Sequence, residues 1–230
     1  MIKICAISDM HGLQEFIHIE ECDILCICGD IVPLKMQTNI PQSMSWFKKT
    51  FIPWCEKQLC KQIYLVAGNH DFFMENKDKE LNDALRGTKI IYLNNQSAEY
   101  SDEESGKIYS IWGSPLCHIF GSWAFMRSPE YELEKFSLMP KNCDIVLCHD
   151  APYGVSDICM QDTPWNKHEH IGNPELTATV IGKEPKLLLH GHLHSTNHDC
   201  EKLDNTDVYN VSVVDERYEI VYNPLYLDIQ

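Results

Sequence analysis

Five short runs of this chain set histidine, aspartate or asparagine at the end of an apolar segment. They are Asp9-Met10-His11, Gly29-Asp30, Gly68-Asn69-His70-Asp71, His149-Asp150 and Gly191-His192-Leu193-His194. Strand ends in an open α/β sheet converge on one crevice. Two carboxylates, an asparagine and five histidines are thereby drawn towards one point. Neutral imidazole combined with carboxylate suits divalent transition metals. Singly, a histidine beside a strand is more often a hydrogen-bonded structural group, and a Gly-Asp pair is more often a turn. The combination carries the reading. Asp9 and His11 are two residues apart, as are His192 and His194, so each pair can face one side of a chain leaving a strand.

The elements that must carry these runs are legible in the hydrophobic pattern. Residues 2–8, 23–28, 62–67, 88–93, 107–112, 144–148 and 186–190 are short, apolar and β-rich, and predict buried strands. Leu13, Phe16, Ile17 and Glu20 fall at helical spacing. Residues 43–60 predict a helix that Pro53 kinks or splits. Residues 78–86 predict a short helix closed by Gly87. Ser128-Pro129-Glu130 and Asn173-Pro174-Glu175 look like capped helix starts. Residues 94–106 have the composition of a loop or hairpin. Residues 207–214 and 218–222 alternate enough to predict a closing antiparallel pair. Strands outnumber helices, which favours two packed sheets with helices outside. The 230 residues fit a single domain spanning 1–230.

The formal net charge is -15, from 19 basic and 34 acidic side chains. Such a field repels polyanions, and a grip on long nucleic acid needs a basic surface. A small anion held by metals remains compatible with it, because a bound cation dominates its own surroundings. The eleven cysteines form no CxxC pair, which argues against a zinc ribbon. Several lie inside apolar runs and read as buried free thiols, in keeping with a reducing compartment. A strand beginning at Ile2 leaves no room for a signal peptide. No apolar run approaches the ~18 residues of a membrane span. The expectation is a soluble cytoplasmic protein with no membrane partner.

In order and spacing the five runs resemble the calcineurin-like metallophosphoesterase superfamily, whose pattern is DxH, GD, GNH[DE], H and GHxH. The match is complete from Asp9 to His194. The resemblance implies a four-layer α/β/β/α sandwich of two mixed sheets flanked by helices. It also implies two divalent metal ions, with Mn, Fe or Zn as the expected identities. Asp9, His11 and His194 correspond to ligands of one ion. Asn69, His149 and His192 correspond to ligands of the other, and Asp30 to the bridge. His70 corresponds to the catalytic histidine, which does not ligate metal. Two ions ~3.5–4 Å apart can clamp the attacking and leaving oxygens of an in-line displacement and lower the pKa of water towards ~7.

A looser resemblance joins residues 111–115, 123–125, 149–154, 170–176 and 185–187 to small metallophosphoesterase-domain-containing proteins related to class III cyclic-nucleotide phosphodiesterases. It implies hydrolysis of small phosphodiesters, cyclic nucleotides among them. His168 and His170, with Trp165 and Asn166, are candidates to line a nucleotide pocket, and a solvated loop is the alternative. Protein phosphatases of the superfamily extend Gly-Asp to GDxxDRG, whereas Ile31-Val32-Pro33-Leu34 follow Asp30 here. The acid that orients the histidine in those enzymes is therefore missing. Asp71 is an unpromising substitute, because adjacent side chains in extended backbone point apart. A phosphomonoesterase, a protein phosphatase and a non-catalytic metal-binding scaffold are the alternatives.

Overall fold

The strands predicted as continuous apolar runs lie in two stacked sheets, and most of their residues are covered on both sides. The computed structural model describes residues 1–158 and 169–230. The first sheet has five strands in the order β11-β1-β2-β3-β4, with β1 Ile2–Ile7, β2 Cys22–Cys28, β3 Cys60–Val66, β4 Ile90–Tyr92 and β11 Leu225–Ile229. The second has six in the order β5-β6-β7-β8-β10-β9, with β5 Gln96–Ser101, β6 Ile108–Ser114, β7 Ile145–Cys148, β8 Leu187–His190, β9 Glu201–Leu203 and β10 Thr206–Asn210. Each is mixed: β1 to β4 and β6, β7, β8, β10 run parallel, with antiparallel strands at the edges. This is the expected α/β/β/α sandwich.

Strand alternation explains the layering. Ile4 and Ala6 face the space between the sheets, where they meet Tyr64, Tyr109, Ile111, Leu147 and Leu189. Cys5 and Ile7, one residue out of step, face the outer helical layer with Phe47, Phe51 and Trp54. The outer face of the second sheet is covered by α4 (Pro129–Phe136) and α5 (Pro174–Lys183) through Trp112, Phe136, Leu176 and Val180.

The helix predicted over 43–60 runs instead from Ile40 to Lys57, as α1 Ile40–Trp46, a π-helical stretch Phe47–Phe51 and α2 Ile52–Lys57, and the helix predicted over 78–86 is α3 Asp78–Leu85. The Asn39 side chain caps it by accepting from Gln42 N at 3.2 Å. Pro53 removes one donor and crowds the preceding turn, and the π-helical stretch just before it widens the helix. Residues 13–20 hold only one 3₁₀ turn, Gln14–Phe16. Residues 94–106 do form a hairpin arm, because β5 pairs with β6. The expected closing pair is absent: β10 pairs with β8 and β9, and residues 218–222 make one isolated bridge, Val214 to Ile220. The chain closes instead by β11 pairing antiparallel with β1 in the other sheet. No helix among the described residues is long and apolar enough to cross a membrane.

Phe51 is fully buried and stacks on Phe47 at 5.5 Å between ring centres. Phe51→Ala is expected to cost about 3–5 kcal/mol, read as a lower urea midpoint at unchanged slope.

Candidate metal centre

At the C-terminal end of β1 and β2 the chain turns through left-handed backbone. Asp9 has φ 57°, His11 φ 43° and Asp30 φ 51°, and His192 after β8 has φ 69°. Aspartate and histidine tolerate this region better than most residues, but it still costs roughly 1–3 kcal/mol at each position. Hydrogen bonds between the two turns hold it: Asp9 N donates to Gly29 O at 3.0 Å, and His11 N to Asp30 O at 2.9 Å. His192 N donates to the Asp9 carboxylate at 3.0 Å, and Ser212 Oγ donates to the same oxygen at 2.6 Å. Asp9 therefore ties the first sheet to the second.

Two motif glycines are required by close approach. A Cβ on Gly68 would lie 2.2 Å from Asp30 Oδ1, and one on Gly191 would lie 2.0 Å from Ser8 Oγ and 2.2 Å from Asp9 Oδ2. Both carboxylates thus pack directly against glycine backbone.

Of the seven residues expected to ligate metal, Asp9, His11, Asp30, His149 and His194 bring donor atoms together, while Asn69 joins them through a bond to His149 and His192 through ring contact with it. Asp30 Oδ2 lies 3.9 Å from His11 Nε2, 3.4 Å from His149 Nε2 and 3.7 Å from His70 Nε2. His194 Nε2 is 3.3 Å from Asp9 Oδ1, and Asn69 Oδ1 is 2.9 Å from His149 Nε2. The His192 ring lies 5.1 Å from that of His149. Three overlapping sets bring their donor atoms within 4.8 Å of one another: Asp9, His11 and His194; Asp9, Asp30 and His149; and His11, Asp30 and His70. Asp9 and Asp30 link the sets. Neither ring nitrogen of His11 has a hydrogen-bond partner among the described residues, although the ring is buried. A buried imidazole without a partner is costly unless it has another use. Its free nitrogen, the carboxylates and the other histidines together make a hard-to-intermediate N/O donor set that fits divalent cations.

The electrostatics match that use. Burial opposes charge on Asp30, but His149, His70 and His11 around it hold its carboxyl well below the usual range. Burial also opposes charge on Asp9, and the hydrogen bond and charge of His194 hold it low. Burial pushes His11 and His192 down to about 4, so both stay neutral and keep a lone pair for a cation. Burial works against the His149 cation as well, yet the Asp30 charge lifts it to about 10. Cation binding at that nitrogen must displace a proton. Other ring nitrogens are fixed from behind: His149 Nδ1 bonds Cys28 O at 2.8 Å and His194 Nδ1 bonds Asp215 O at 3.1 Å.

His70 is less buried than His11 and Asp30, yet distance alone does not separate it from the ligand set. Its backbone N donates to Asp30 Oδ1 at 2.8 Å, and its Nδ1 bonds the side-chain oxygen of Gln37. Asp71 is turned away, as its neighbour position implies. Its buried carboxylate accepts from Gly68 N at 2.9 Å, Val32 N at 3.0 Å and Ile31 N at 3.1 Å. It braces the Asp30 and Asn69 turns together.

The sequence did not signal several neighbours of the centre. Tyr218 packs edge-on against His11 and His194 at 4.8 and 5.3 Å between ring centres. The loop between Cys117 and Phe125 places Trp123 4.6 Å from the His70 ring and Phe120 5.1 Å from the His192 ring. Trp123 falls in the 123–125 stretch of the looser resemblance, but its place beside His70, like that of Phe120 beside His192, is revealed only by the fold. His170 is exposed, bonds Asp157 Oδ1 at 2.6 Å, and lines a cavity of about 560 Å³ with Thr196 and His198 rather than the metal pocket. His168 lies outside the described residues.

Residues 2–196 match the family model for calcineurin-like phosphoesterases. The chain is 25% identical over 245 residues to human metallophosphoesterase domain-containing protein 1, covering 99% of this chain and 71% of that protein. The structure of phosphopantetheinyl hydrolase from Mycobacterium tuberculosis superposes with a TM-score of 0.54 at 12% identity, over 94% of this chain and 90% of that one. A Thermus thermophilus protein, TT1561, superposes with a TM-score of 0.54 at 14% identity, over 91% of this chain and 88% of that one.

Behind His149 lies a buried acid pair. Asp150 Oδ2 accepts from His118 N and Nδ1 at 2.9 and 2.8 Å and from Asn173 Nδ2 at 3.2 Å. Asn173 Nδ2 also reaches Glu132 Oε1 at 3.2 Å, while its Oδ1 caps α5 at Leu176 N. Burial favours the neutral form of both acids. The His118 bond nonetheless holds Asp150 low, and burial together with the Asp150 charge pushes Glu132 up to about 8. One proton is therefore kept on Glu132 at neutral pH. A carboxyl raised in the fold adds stability that is complete below its ordinary value of 4.5 and is lost as pH rises through about 8. Glu132→Gln should flatten the decline in urea stability between pH 5 and 8, and an unchanged slope would contradict the assignment.

Proposed function

The chain belongs to the calcineurin-like phosphoesterase family and is a metal-dependent phosphoester hydrolase, and from that premise we propose that it cleaves small phosphodiesters, cyclic nucleotides among them. The observation that carries the reading is the convergence of Asp9, His11, Asp30, His149 and His194 on one pocket, with His11 left unbonded within it. Asp9, His11 and His194 would hold one ion, Asn69, His149 and His192 would hold the other, and Asp30 would serve both. The N/O donor set suits Mn, Fe or Zn. Two such ions would supply charge to the phosphoryl oxygens and an activated water.

The chain's own side chains do the rest. His70 presents Nε2 to the pocket side, 3.7 Å from Asp30, and gives a proton to the departing alkoxide oxygen. Trp123 packs against His70 and Phe120 against His192, so the loop that carries them would bring aromatic side chains to a ring on the substrate. That pairing favours a diester carrying a base or aromatic group over a phosphoprotein. The acidic balance of the chain disfavours long polyanions as partners. Free thiols at the ten described cysteines support a reducing, cytoplasmic setting.

Two equivalents of Mn²⁺ should bind. The loaded protein should cleave bis(p-nitrophenyl) phosphate faster than p-nitrophenyl phosphate and should open a cyclic mononucleotide. Preference for the monoester would replace the diesterase reading with a phosphomonoesterase, and failure to bind metal would favour the scaffold. His70→Ala should lower turnover by ~10²–10⁴ with metal content preserved, whereas Asp30→Asn should lose metal.

A further inference from the structure

The sequence lacks the second acid that would orient His70, and the structure supplies a different group. We infer that Gln37 is the positioning residue of His70, its side-chain carbonyl accepting from Nδ1–H so that Nε2 is the nitrogen presented to the pocket. This rests on the role given to His70 in the proposed reaction.

Gln37 comes from the same turn that delivers Asp30. After Asp30 the chain runs through Ile31 and Val32, whose N–H groups are held by Asp71, and enters a 3₁₀ turn at Leu34–Met36 with Gln37 as its C-cap. The turn is anchored. Met36 is buried, and its carbonyl accepts from Ser43 Oγ at 2.7 Å and from Asn39 N at 2.8 Å. Gln37 is half-buried and its Oε1 meets His70 Nδ1. The imidazole is flanked by Trp123 at 4.6 Å and His11 at 5.0 Å, with its Nε2 3.7 Å from Asp30 Oδ2. Shape alone does not choose between the two ring orientations, because χ2 of histidine is broadly two-fold. A bond to Nδ1 does choose.

An acceptor at Nδ1 also chooses the tautomer. With Nδ1 protonated, the neutral ring carries its lone pair on Nε2, the nitrogen facing Asp30. That nitrogen can take a proton from solvent water, making the ring an imidazolium, and give it to the leaving alkoxide oxygen, which returns the ring to its neutral Nδ1–H form without moving it. The opposite amide orientation would present NH₂ to Nδ1 and leave the proton on Nε2.

Gln37→Met keeps the length of the side chain and removes the acceptor. Gln37→Glu keeps the acceptor. In the metal-free protein, ¹⁵N–¹H correlation of the His70 ring, assigned by its loss in His70→Ala, should show protonated Nδ1 in the parent and in Gln37→Glu, and a tautomer mixture in Gln37→Met. With Mn²⁺ loaded, Gln37→Met should slow a phenyl diester, whose leaving group needs a proton, about ten-fold or more beyond its effect on the p-nitrophenyl diester. KM and metal stoichiometry should be unchanged, and Gln37→Glu should recover most of the loss. A ring protonated on Nε2 in the parent, or equal losses on both diesters, would overturn the assignment. A parent protein that hydrolyses neither diester would overturn the reaction itself, which the tautomer spectrum distinguishes because it needs no turnover.

Discussion

Two carboxylates, Asp9 and Asp30, are buried almost completely where the two sheets meet, and the rest of the site follows from having to keep them charged there. An unpaired ionised carboxylate in a protein interior is among the most costly groups a fold can hold. Their charge is balanced by His149 and His194, whose pKa values the carboxylates raise, while His11 stays neutral, and all three are neutral ligands when a cation takes over that balance. The left-handed turns at Asp9, His11, Asp30 and His192 are the local cost of aiming so many polar groups inward. Glycine at 68 and 191 gives those carboxylates room against the backbone.

The same constraint explains why the site lies at a seam. Asp9 leaves a strand of the first sheet, while His192, His194 and Ser212 come from the second, and the parallel bridge between Ser8 and Ser212 joins them beside the metal pocket. Apolar strands covered on both faces make each sheet rigid, and their shared core keeps the two edges in fixed relation. Polar residues can then be concentrated at one end without loosening the layers. Behind them Asp71 grips the N–H groups of three motif residues or their neighbours, and the Asp150–Asn173–Glu132 chain links His149 to α4 and α5.

Much of this is visible in the sequence, for identifiable reasons. A strand buried on both faces writes itself as an apolar run, and a ligand at its end sits next to that run. Two packed sheets with helices outside and the motifs at strand ends could therefore be read directly, and the resemblance supplied the four-layer arrangement. β11 could not, because it is an edge strand with half-exposed residues and its partner β1 is the whole chain away. Residues 218–222 alternate like a strand, but Tyr218 is committed to packing on two histidines with φ 61°, which breaks extended backbone. Gln37 and Phe120 carry no motif, and Trp123 carries only the looser resemblance. Their relation to the centre exists only through tertiary contact, so no local pattern announces it. His170 shows the converse: a polar-aromatic neighbourhood in sequence, yet a place in the adjoining cavity.

The neutral partner of His70 fits this electrostatic setting. Asp9, Asp30 and Asp71 already crowd the strand ends, and burial with the charge of Asp30 pushes Asp71 up to about 7 despite three backbone donors. A further carboxylate at position 37 would add to that repulsion. An amide oxygen fixes the ring's orientation and tautomer without net charge. Where other members of the superfamily place an acid in the sequence after Gly-Asp, this chain uses the turn that follows Asp30 to bring in a dipole. The loss of the acid from the motif is thus compensated in geometry, and the charge it would have carried is absent from a pocket that already holds as many carboxylates as its histidines can balance.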